Sequence, residues 1–186
     1  MKNMYVFIIC LFLLPLHAGA QRRLQGQKGL EINLGAVDGF KKHALNVGLA
    51  FSSYAKNGNR WGFGAGYLHK KIAYRDQSVP IEQFTGECGY YLNFLSDRSK
   101  TVFFSAGISA VAGYELVNKD RKLLYDGAEL LNKSHFLYGT TFGLEIETYI
   151  VDRIILFTGI KGRILAGSSI NKAYLLPNIG LRIIIN

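Results

Sequence analysis

Two glutamates in a strongly apolar stretch are the first residues of this chain that could do chemistry. Residues 141–157 read TFGLEIETYIVDRIILF, with Glu145 and Glu147 two positions apart. Two carboxyl groups close together can act as a general acid and a general base. The same spacing puts both side chains on one face of a β-strand, opposite Leu144 and Ile146. Whether they form a catalytic pair or a charged inner face depends on what that face contacts.

The first twenty residues have the layout of a secretory signal peptide. Lys2 supplies a positive start, residues 5–16 are apolar, and residues 18–20 (AGA) match a small-residue cleavage site. The apolar run is too short to cross roughly 30 Å of hydrocarbon as a helix. The sequence therefore predicts a signal peptide over residues 1–20 and a single mature domain over residues 21–186.

Composition favours strands over helices. The chain has 12 Phe, 11 Tyr and 21 Gly but only 3 Pro, and aromatic residues are enriched in strands. No stretch after residue 20 has the roughly 18 consecutive apolar residues of a transmembrane helix. The mature domain keeps one cysteine, Cys88, and so cannot form an internal disulfide. The formal net charge of +9 suits acidic partners, either proteins or DNA.

Period-two alternation runs through eight segments of the chain. In each segment one alternate set of side chains is large and apolar, and the other set is small or polar. Most segments are long enough to cross a bilayer at a tilt, which takes about 9 to 11 residues. The predicted strands are Gly29 to Val37, His43 to Tyr54, Arg60 to Tyr74, Ile81 to Leu95, Thr101 to Tyr114, Ser134 to Ile150, Ile154 to Leu165 and Ala173 to Ile185.

The connections between these strands alternate in length. Short turns follow strands two, four and six, and the longest connection, Glu115 to Lys133, follows strand five. An even strand number with short turns on one side and longer loops on the other is typical of an outer-membrane barrel. The sequence therefore predicts an all-β fold, an eight-stranded antiparallel up-and-down transmembrane β-barrel of the outer-membrane type. Its N-terminus and short turns are predicted to lie in the periplasm.

Strand parity gives Glu145 and Glu147 an inward direction in such a barrel. If Leu144 and Ile146 face lipid, the two glutamates face the interior, together with other charged residues of matching parity. Acids and bases can neutralise one another there, as buried charges must. In strand seven the direction is ambiguous, because large apolar residues share the parity of its two basic residues. The predicted interior charge network consists of Glu31, Glu87, Glu145, Glu147, Lys161, Arg163 and Arg182.

Basic residues gather at the short-turn side of the predicted barrel. Such a face suits an acidic partner protein or passing DNA, although a solvated basic rim without a specific partner has the same composition. The predicted partner-docking face is formed by Arg22, Arg23, Lys56, Arg60, Arg98, Lys100 and Arg153.

Other residues with reactive side chains lack a catalytic pattern. His43, His69 and His135 fall near the loop ends of their strands, without the close spacing of metal ligands. Ser168 lies in GSSI, which is not the G-x-S-x-G elbow of a serine hydrolase. We therefore predict no enzymatic activity, no catalytic residues, no metal and no cofactor. An enzyme acting on lipid would have to use Ser168, His43 or His135.

Six stretches of the chain resemble one family of conjugal transfer proteins. They are VDGF (37–40), NRWGFGAGYL (59–68), QFTGECGYYLNFLSDRSKT (83–101), AGYELVN (112–118), FLYGTTFGLEIETYIVDRIIL (136–156) and GSSI (167–170). They resemble the TraO family, found in the conjugative transposons of Bacteroides-type bacteria, over essentially the whole mature chain. The resemblance implies a part in DNA transfer between cells, alongside the other components of a type IV secretion apparatus. It brings no catalytic residues.

The signal peptide, strand layout and resemblance together predict a non-enzymatic outer-membrane component of a conjugative DNA-transfer apparatus. Its predicted role is docking or cell-surface contact. The predicted partners are outer-membrane lipid and other proteins of the apparatus, and direct contact with DNA is left open. The alternative is a soluble periplasmic β-barrel that binds an apolar ligand, which requires the large apolar side chains to face inward.

Overall fold

A computed structural model describes residues 23–37, 44–74, 77–118 and 134–185. Each strand pairs antiparallel with the next, and the last pairs with the first, so the sheet closes into a barrel. The strands are β1 (Lys28–Ala36), β2 (Ala44–Tyr54), β3 (Arg60–Tyr74), β4 (Gln77–Ser96), β5 (Val102–Val117), β6 (His135–Val151), β7 (Ile154–Ala166) and β8 (Ala173–Ile184). A short 3₁₀ turn, Lys56–Gly58, joins β2 to β3. Within the described ranges no helix is long and apolar enough to cross a membrane.

The eight predicted strands all occur, with ends that differ by a few residues. The largest differences are at β4, which begins at Gln77 rather than Ile81, and at β5, which continues past Tyr114 to Val117. Pro80 marks a break in the sequence because proline cannot donate to a strand ladder. Before Ile81, however, β4 pairs with β3 alone, and a strand with one open edge tolerates proline. The predicted signal peptide, Arg22, His43 and most of the long connection after β5 lie outside the described residues.

Large apolar side chains cover the outside of the barrel. On β6, Leu144 is 62% exposed and Ile146 is 42% exposed, whereas the intervening Glu145 and Glu147 are buried. The other strands expose large apolar side chains in the same alternating way; examples are Leu30, Ile32, Leu49, Phe63, Ile108, Phe142, Ile160, Ile179 and Ile183. An apolar outer surface of this extent is the lipid-facing surface of a transmembrane barrel. The soluble alternative required these exposed apolar side chains to face inward, and they face outward.

Apolar side chains fill both ends of the barrel interior. The cluster at the long-loop end contains Val37, Ala44, Leu68, Ile81, Val111, Leu137, Leu165, Ile170, Tyr174 and Leu176. The cluster at the short-turn end contains Tyr54, Phe103, Tyr149, Ile155 and Ile184. Along β6, β7 and β8 the buried charged residues fall between these two clusters. On these three strands, apolar side chains therefore lie between the charged residues and each end of the barrel.

This layering explains the ambiguous pattern of β7. Ile155 and Leu165 belong to the two end clusters, and Lys161 and Arg163 lie between them on the same inner face. Ile160 points outward and is about half exposed. An inner face can thus be apolar at its ends and charged in the middle, which periodicity alone does not distinguish from an outer face.

Gly139 lies where β6 and β7 approach each other closely. A Cβ atom at this position would lie 1.9 Å from the backbone oxygen of Ile164. We expect Gly139→Ala to lower the free energy of unfolding by about 1–3 kcal/mol, because the backbone of the neighbouring strand has to shift. Urea titration in detergent micelles measures this loss of unfolding free energy. Gly86→Ala is the control, since its methyl group meets nothing closer than 3.8 Å, and an equal loss in both variants would contradict the steric explanation.

Candidate functional site: interior charges and the short-turn face

Glu145 and Glu147 lie inside the barrel in a cluster of three carboxylates and three guanidinium groups. Every side chain of this cluster is at most 7% exposed, and its formal charges cancel. We call it the arginine–glutamate cluster; its members are Glu31, Glu145, Glu147, Arg23, Arg60 and Arg182. Buried charges are stable only when paired in this way.

Glu147 is at the centre of the arginine–glutamate cluster. Its Oε2 atom accepts hydrogen bonds from Arg23 Nη2 at 2.6 Å and from Arg182 Nη1. Its Oε1 atom accepts from Arg60 Nε at 3.4 Å and from the Ser105 hydroxyl at 3.5 Å. A carboxylate offers about four acceptor sites, and these four donors occupy them. Glu147 therefore has no free oxygen with which to act on a substrate.

Arg182 joins the first and last strands of the barrel. Glu31 on β1 and Arg182 on β8 are direct partners in the strand register, and Arg182 Nε donates to Glu31 Oε1 at 2.7 Å. Arg182 Nη1 also donates to the Tyr54 hydroxyl at 2.9 Å, and Nη2 lies 3.7 Å from Glu145 Oε2. Glu145 pairs in addition with Arg60 Nη2. One arginine thus contacts all three carboxylates of the cluster.

Glu87, Lys161 and Arg163 form a second, smaller group nearer the middle of the barrel. Lys161 Nζ lies 3.3 Å from Glu87 Oε1, and Arg163 Nη2 lies 3.1 Å from Glu87 Oε2. The structure therefore places the seven residues of the predicted network inside the barrel in two groups. Three of them form this group, and the other four belong to the arginine–glutamate cluster.

The two groups border an interior cavity of about 50 Å³. A water molecule needs roughly 10–15 Å³ measured in this way, so the cavity has room for about three to five waters. A substrate does not fit, and both Glu145 and Glu147 are paired with arginine. The arginines neutralise these carboxylates, an arrangement that does not suit acid–base catalysis.

Two residues predicted on the exposed docking face lie inside the barrel instead. Arg60 is 2% exposed, and its inward direction follows from the outward direction of Trp61, which is 47% exposed. Arg23 precedes β1, and its guanidinium group packs 3.7 Å from the ring centre of Phe103 while pairing with Glu147. The prediction of exposed positions was wrong for both residues. Without them, three buried carboxylates of the cluster would share one arginine, which low-dielectric surroundings do not allow.

A further polar group at the long-loop end was not anticipated from the sequence. Glu115 is fully buried; it accepts a hydrogen bond from Gln83 Nε2 at 2.6 Å and one from the backbone amide of Ser169 at 2.9 Å. These bonds hold the connection between β7 and β8 against the barrel, where Ile170 is buried. Glu115 shares the parity of the inward-facing Val117. Because it was assigned to the loop after strand five, its inward direction was not predicted.

The other reactive side chains are used in structural contacts. The Ser168 hydroxyl accepts from Gln83 Nε2 at 3.1 Å and from the amide of Ile170 at 3.3 Å. His69 Nδ1 lies 3.7 Å from Glu82 Oε1. In the part of the chain that the structure describes, no three residues among His, Cys, Asp and Glu are grouped as metal ligands.

The remaining basic residues of the predicted docking face are exposed at the short-turn end. They are Lys56, Arg98, Lys100 and Arg153. Asp97 and Asp152 lie in the same turns and are also exposed. The Asp97 carboxylate accepts hydrogen bonds from the backbone amides of Thr101 at 2.7 Å and Val102 at 2.9 Å. That carboxylate is bonded to its own turn and keeps its negative charge, so Asp97 and Asp152 lower the net charge of the face but leave it positive.

A closed barrel of eight antiparallel strands, with an apolar outer surface and a filled interior, defines a transmembrane β-barrel of the outer-membrane type. The profile of the conjugative transposon protein TraO family matches residues 24–185, and the chain belongs to that family. Both the predicted fold class and the predicted family are confirmed. A comparison with curated proteins gives no match.

Similar solved structures include several outer-membrane barrels. The N-terminal β-barrel domain of OprF from Pseudomonas aeruginosa is 7% identical, with a TM-score of 0.52 over 87% of this chain and 98% of that chain. The attachment invasion locus protein Ail of Yersinia pestis is 10% identical, with a TM-score of 0.48 over 87% and 99%. At 7% identity, the likeness to OprF concerns the fold alone.

Proposed function

We propose that the mature chain, beginning at Gln21 after signal-peptide cleavage, is a non-enzymatic outer-membrane component of a conjugative DNA-transfer apparatus. The observation that carries this proposal is the family match, which spans the barrel from its first strand to its last. The apolar outer surface supports a place in the outer membrane, with the short turns in the periplasm and the longer connections outside.

The filled interior supports a docking role over transport. Apolar clusters close both ends of the barrel, and the cavity between them holds a few water molecules. An eight-stranded barrel is just wide enough for side chains to fill it. A single copy therefore offers DNA no passage, and its contribution to transfer lies in its surfaces.

The short-turn face is the surface we assign to contact with the other apparatus proteins. The turns there carry four exposed cations, Lys56, Arg98, Lys100 and Arg153, and Lys28 at the start of β1 is exposed at the same end. Electrostatic complementarity speeds association with an acidic partner and fixes its orientation. The side chains of Arg23 and Arg60 are buried and pair with Glu147, so this assignment rests on the exposed cations.

A clean deletion in the donor, complemented with variants, tests the proposal. We expect the deletion to abolish transfer without changing growth, and the wild-type gene to restore it. A variant with glutamine at the four exposed basic positions should fail to restore transfer. The control neutralises two exposed lysines at the opposite end, Lys71→Gln and Lys172→Gln, and should transfer like wild type.

The same cells show where the proteins are and whether they fold. Each variant should fractionate with the outer membrane and run as a heat-modifiable band on gels, which shows a closed barrel. Transfer at the wild-type rate from the deletion strain would overturn the proposed function. Transfer at the wild-type rate with the four-glutamine variant would overturn the role of the short-turn face.

A further inference from the structure

A polar pocket opens at the short-turn end of the barrel beside Arg23. It has a volume of about 270 Å³. This is slightly below the roughly 300–1,000 Å³ of small-molecule sites, which suits one or two side chains of a protein segment. The residues that line it are Arg23, Asn57, Gly58, Asn93, Ser96, Lys100 and Phe103. No acidic residue is among them.

Three side chains around this pocket have hydrogen-bond donors with no partner in the described part of the chain. They are the Asn57 amide, the Ser96 hydroxyl and the Lys100 ammonium group. Arg23 adds a positive charge at the inner wall, although its Nη1 and Nη2 atoms already donate to Gly58 O at 3.0 Å and to Glu147. Donors that line one concavity beside the positive charge of Lys100 suit an anionic oxygen group. The charge of Arg23 is already balanced by Glu147, and Asp97 lies in the same turn as Lys100 but is not among the lining residues.

The backbone around the pocket is fixed before any ligand arrives. Asn57 and Lys100 both have positive φ, at 62° and 53°, so each occupies a defined turn position. The Lys100 amide donates to the Asp97 carbonyl at 3.0 Å, and the Asn93 amide donates to Asn59 Oδ1 at 3.0 Å. A preorganised site loses less conformational entropy on binding.

We propose that this pocket binds the carboxylate of an aspartate or glutamate side chain from an acidic segment of a partner protein. The inference rests on the proposed docking function of the short-turn face and names the site and the chemistry of that contact. Lys100, Ser96 and Asn57 supply the donors that contact the carboxylate. Arg23 connects the pocket to the arginine–glutamate cluster through Glu147.

The dimensions of the site favour a protein segment over DNA. Proteins that bind duplex DNA through its backbone neutralise about 6–10 phosphates along an extended surface. The turns of this face expose four cations, Lys28 is exposed beside them, and Asp97 and Asp152 lie among them, whereas the pocket donors line one concavity. A single carboxylate side chain matches that arrangement, whereas a rigid duplex cannot enter it.

The test uses the mature protein in nanodiscs of zwitterionic lipid, so that the membrane adds no net charge. The probe is a blocked acidic pentapeptide, acetyl-GDEDG-amide, titrated at low salt and followed through backbone amide shifts. The isosteric peptide acetyl-GNQNG-amide measures binding without carboxylates. We expect the acidic peptide to shift the amides of residues 57–58 and 96–100, and the neutral peptide to shift none of them.

Two charge reversals on the same face separate the pocket from diffuse attraction. Lys100 lines the pocket and Lys56 does not, although both are exposed. We expect Lys100→Glu to raise the peptide Kd about tenfold and Lys56→Glu to raise it less than about twofold. Equal weakening by both reversals would overturn the pocket while leaving docking by the face intact. The proposed pocket would also be overturned if the acidic peptide did not bind, or if a 20-base-pair duplex bound in its place. The transfer assay tests the proposed function independently of either result.

Discussion

Glu147→Gln should lower the free energy of unfolding by about 3–5 kcal/mol, because it removes the central charge of the arginine–glutamate cluster. Glu147 has hydrogen bonds with Arg23, Arg60 and Arg182, and none of these arginines can move its charge into water. Without that carboxylate, three guanidinium groups share two. A typical protein has only about 5–15 kcal/mol of stability in total, so this loss is a large share of it.

Urea titration of the barrel in lipid vesicles measures this loss, with the heat-modifiable gel band as a second measure of closure. Asp152→Asn is the matched control, since Asp152 lies in the exposed turn between β6 and β7, five residues further along the chain. The control should stay within about 0.5 kcal/mol of wild type. A wild-type unfolding midpoint for Glu147→Gln would mean that the buried pairs contribute nothing net.

Leu144→Arg should lower the free energy of unfolding by about 2–4 kcal/mol in a bilayer, because it puts a charge on the outer surface near the middle of β6. Leu144 is 62% exposed, so the new side chain meets no steric obstacle within the protein. The cost comes from lipid alone. The same substitution would be nearly neutral if this surface met water.

Val151→Arg is the control for membrane depth. Val151 is the last residue of β6 and is 50% exposed at the short-turn end, where the membrane meets water. Arginine costs about 0–1 kcal/mol at such a depth. Urea titration of both variants in the same vesicles gives the difference between their free energies of unfolding. Equal small losses at the two positions would contradict a membrane-spanning outer surface.

Alternation in the sequence is enough to give side-chain directions within most strands, although not in β7, whose inner face carries both apolar and charged residues. Leu144 and Ile146 face outward and Glu145 faces inward, as the period-two pattern predicts. The pattern is informative because lipid on one side and a packed interior on the other impose opposite chemistry on the two faces. The outward direction of Trp61 likewise indicates that the neighbouring Arg60 faces inward. Arg60 was nevertheless predicted to be exposed, because it lies next to a turn.

The sequence could not reveal contacts that depend on the closed barrel. Arg23 lies in no strand, so no periodicity points to its pairing with Glu147, which is 124 residues away. The connection containing Ser169 likewise looks like an ordinary loop, because its amide meets Glu115 only when β5 and β7 stand in the same barrel. Such contacts follow from barrel geometry and not from local pattern.

The pairing of Glu31 with Arg182 also helps to set how the two ends of the sheet meet. A shift of one residue between β1 and β8 would point Arg182 into lipid, and a shift of two would move it about 7 Å along the strand from its partner. Backbone hydrogen bonds alone distinguish these alignments weakly, since each restores a similar ladder. The ion pair favours the correct alignment of β1 with β8, because only that alignment leaves the barrel without an unpaired charge at its seam.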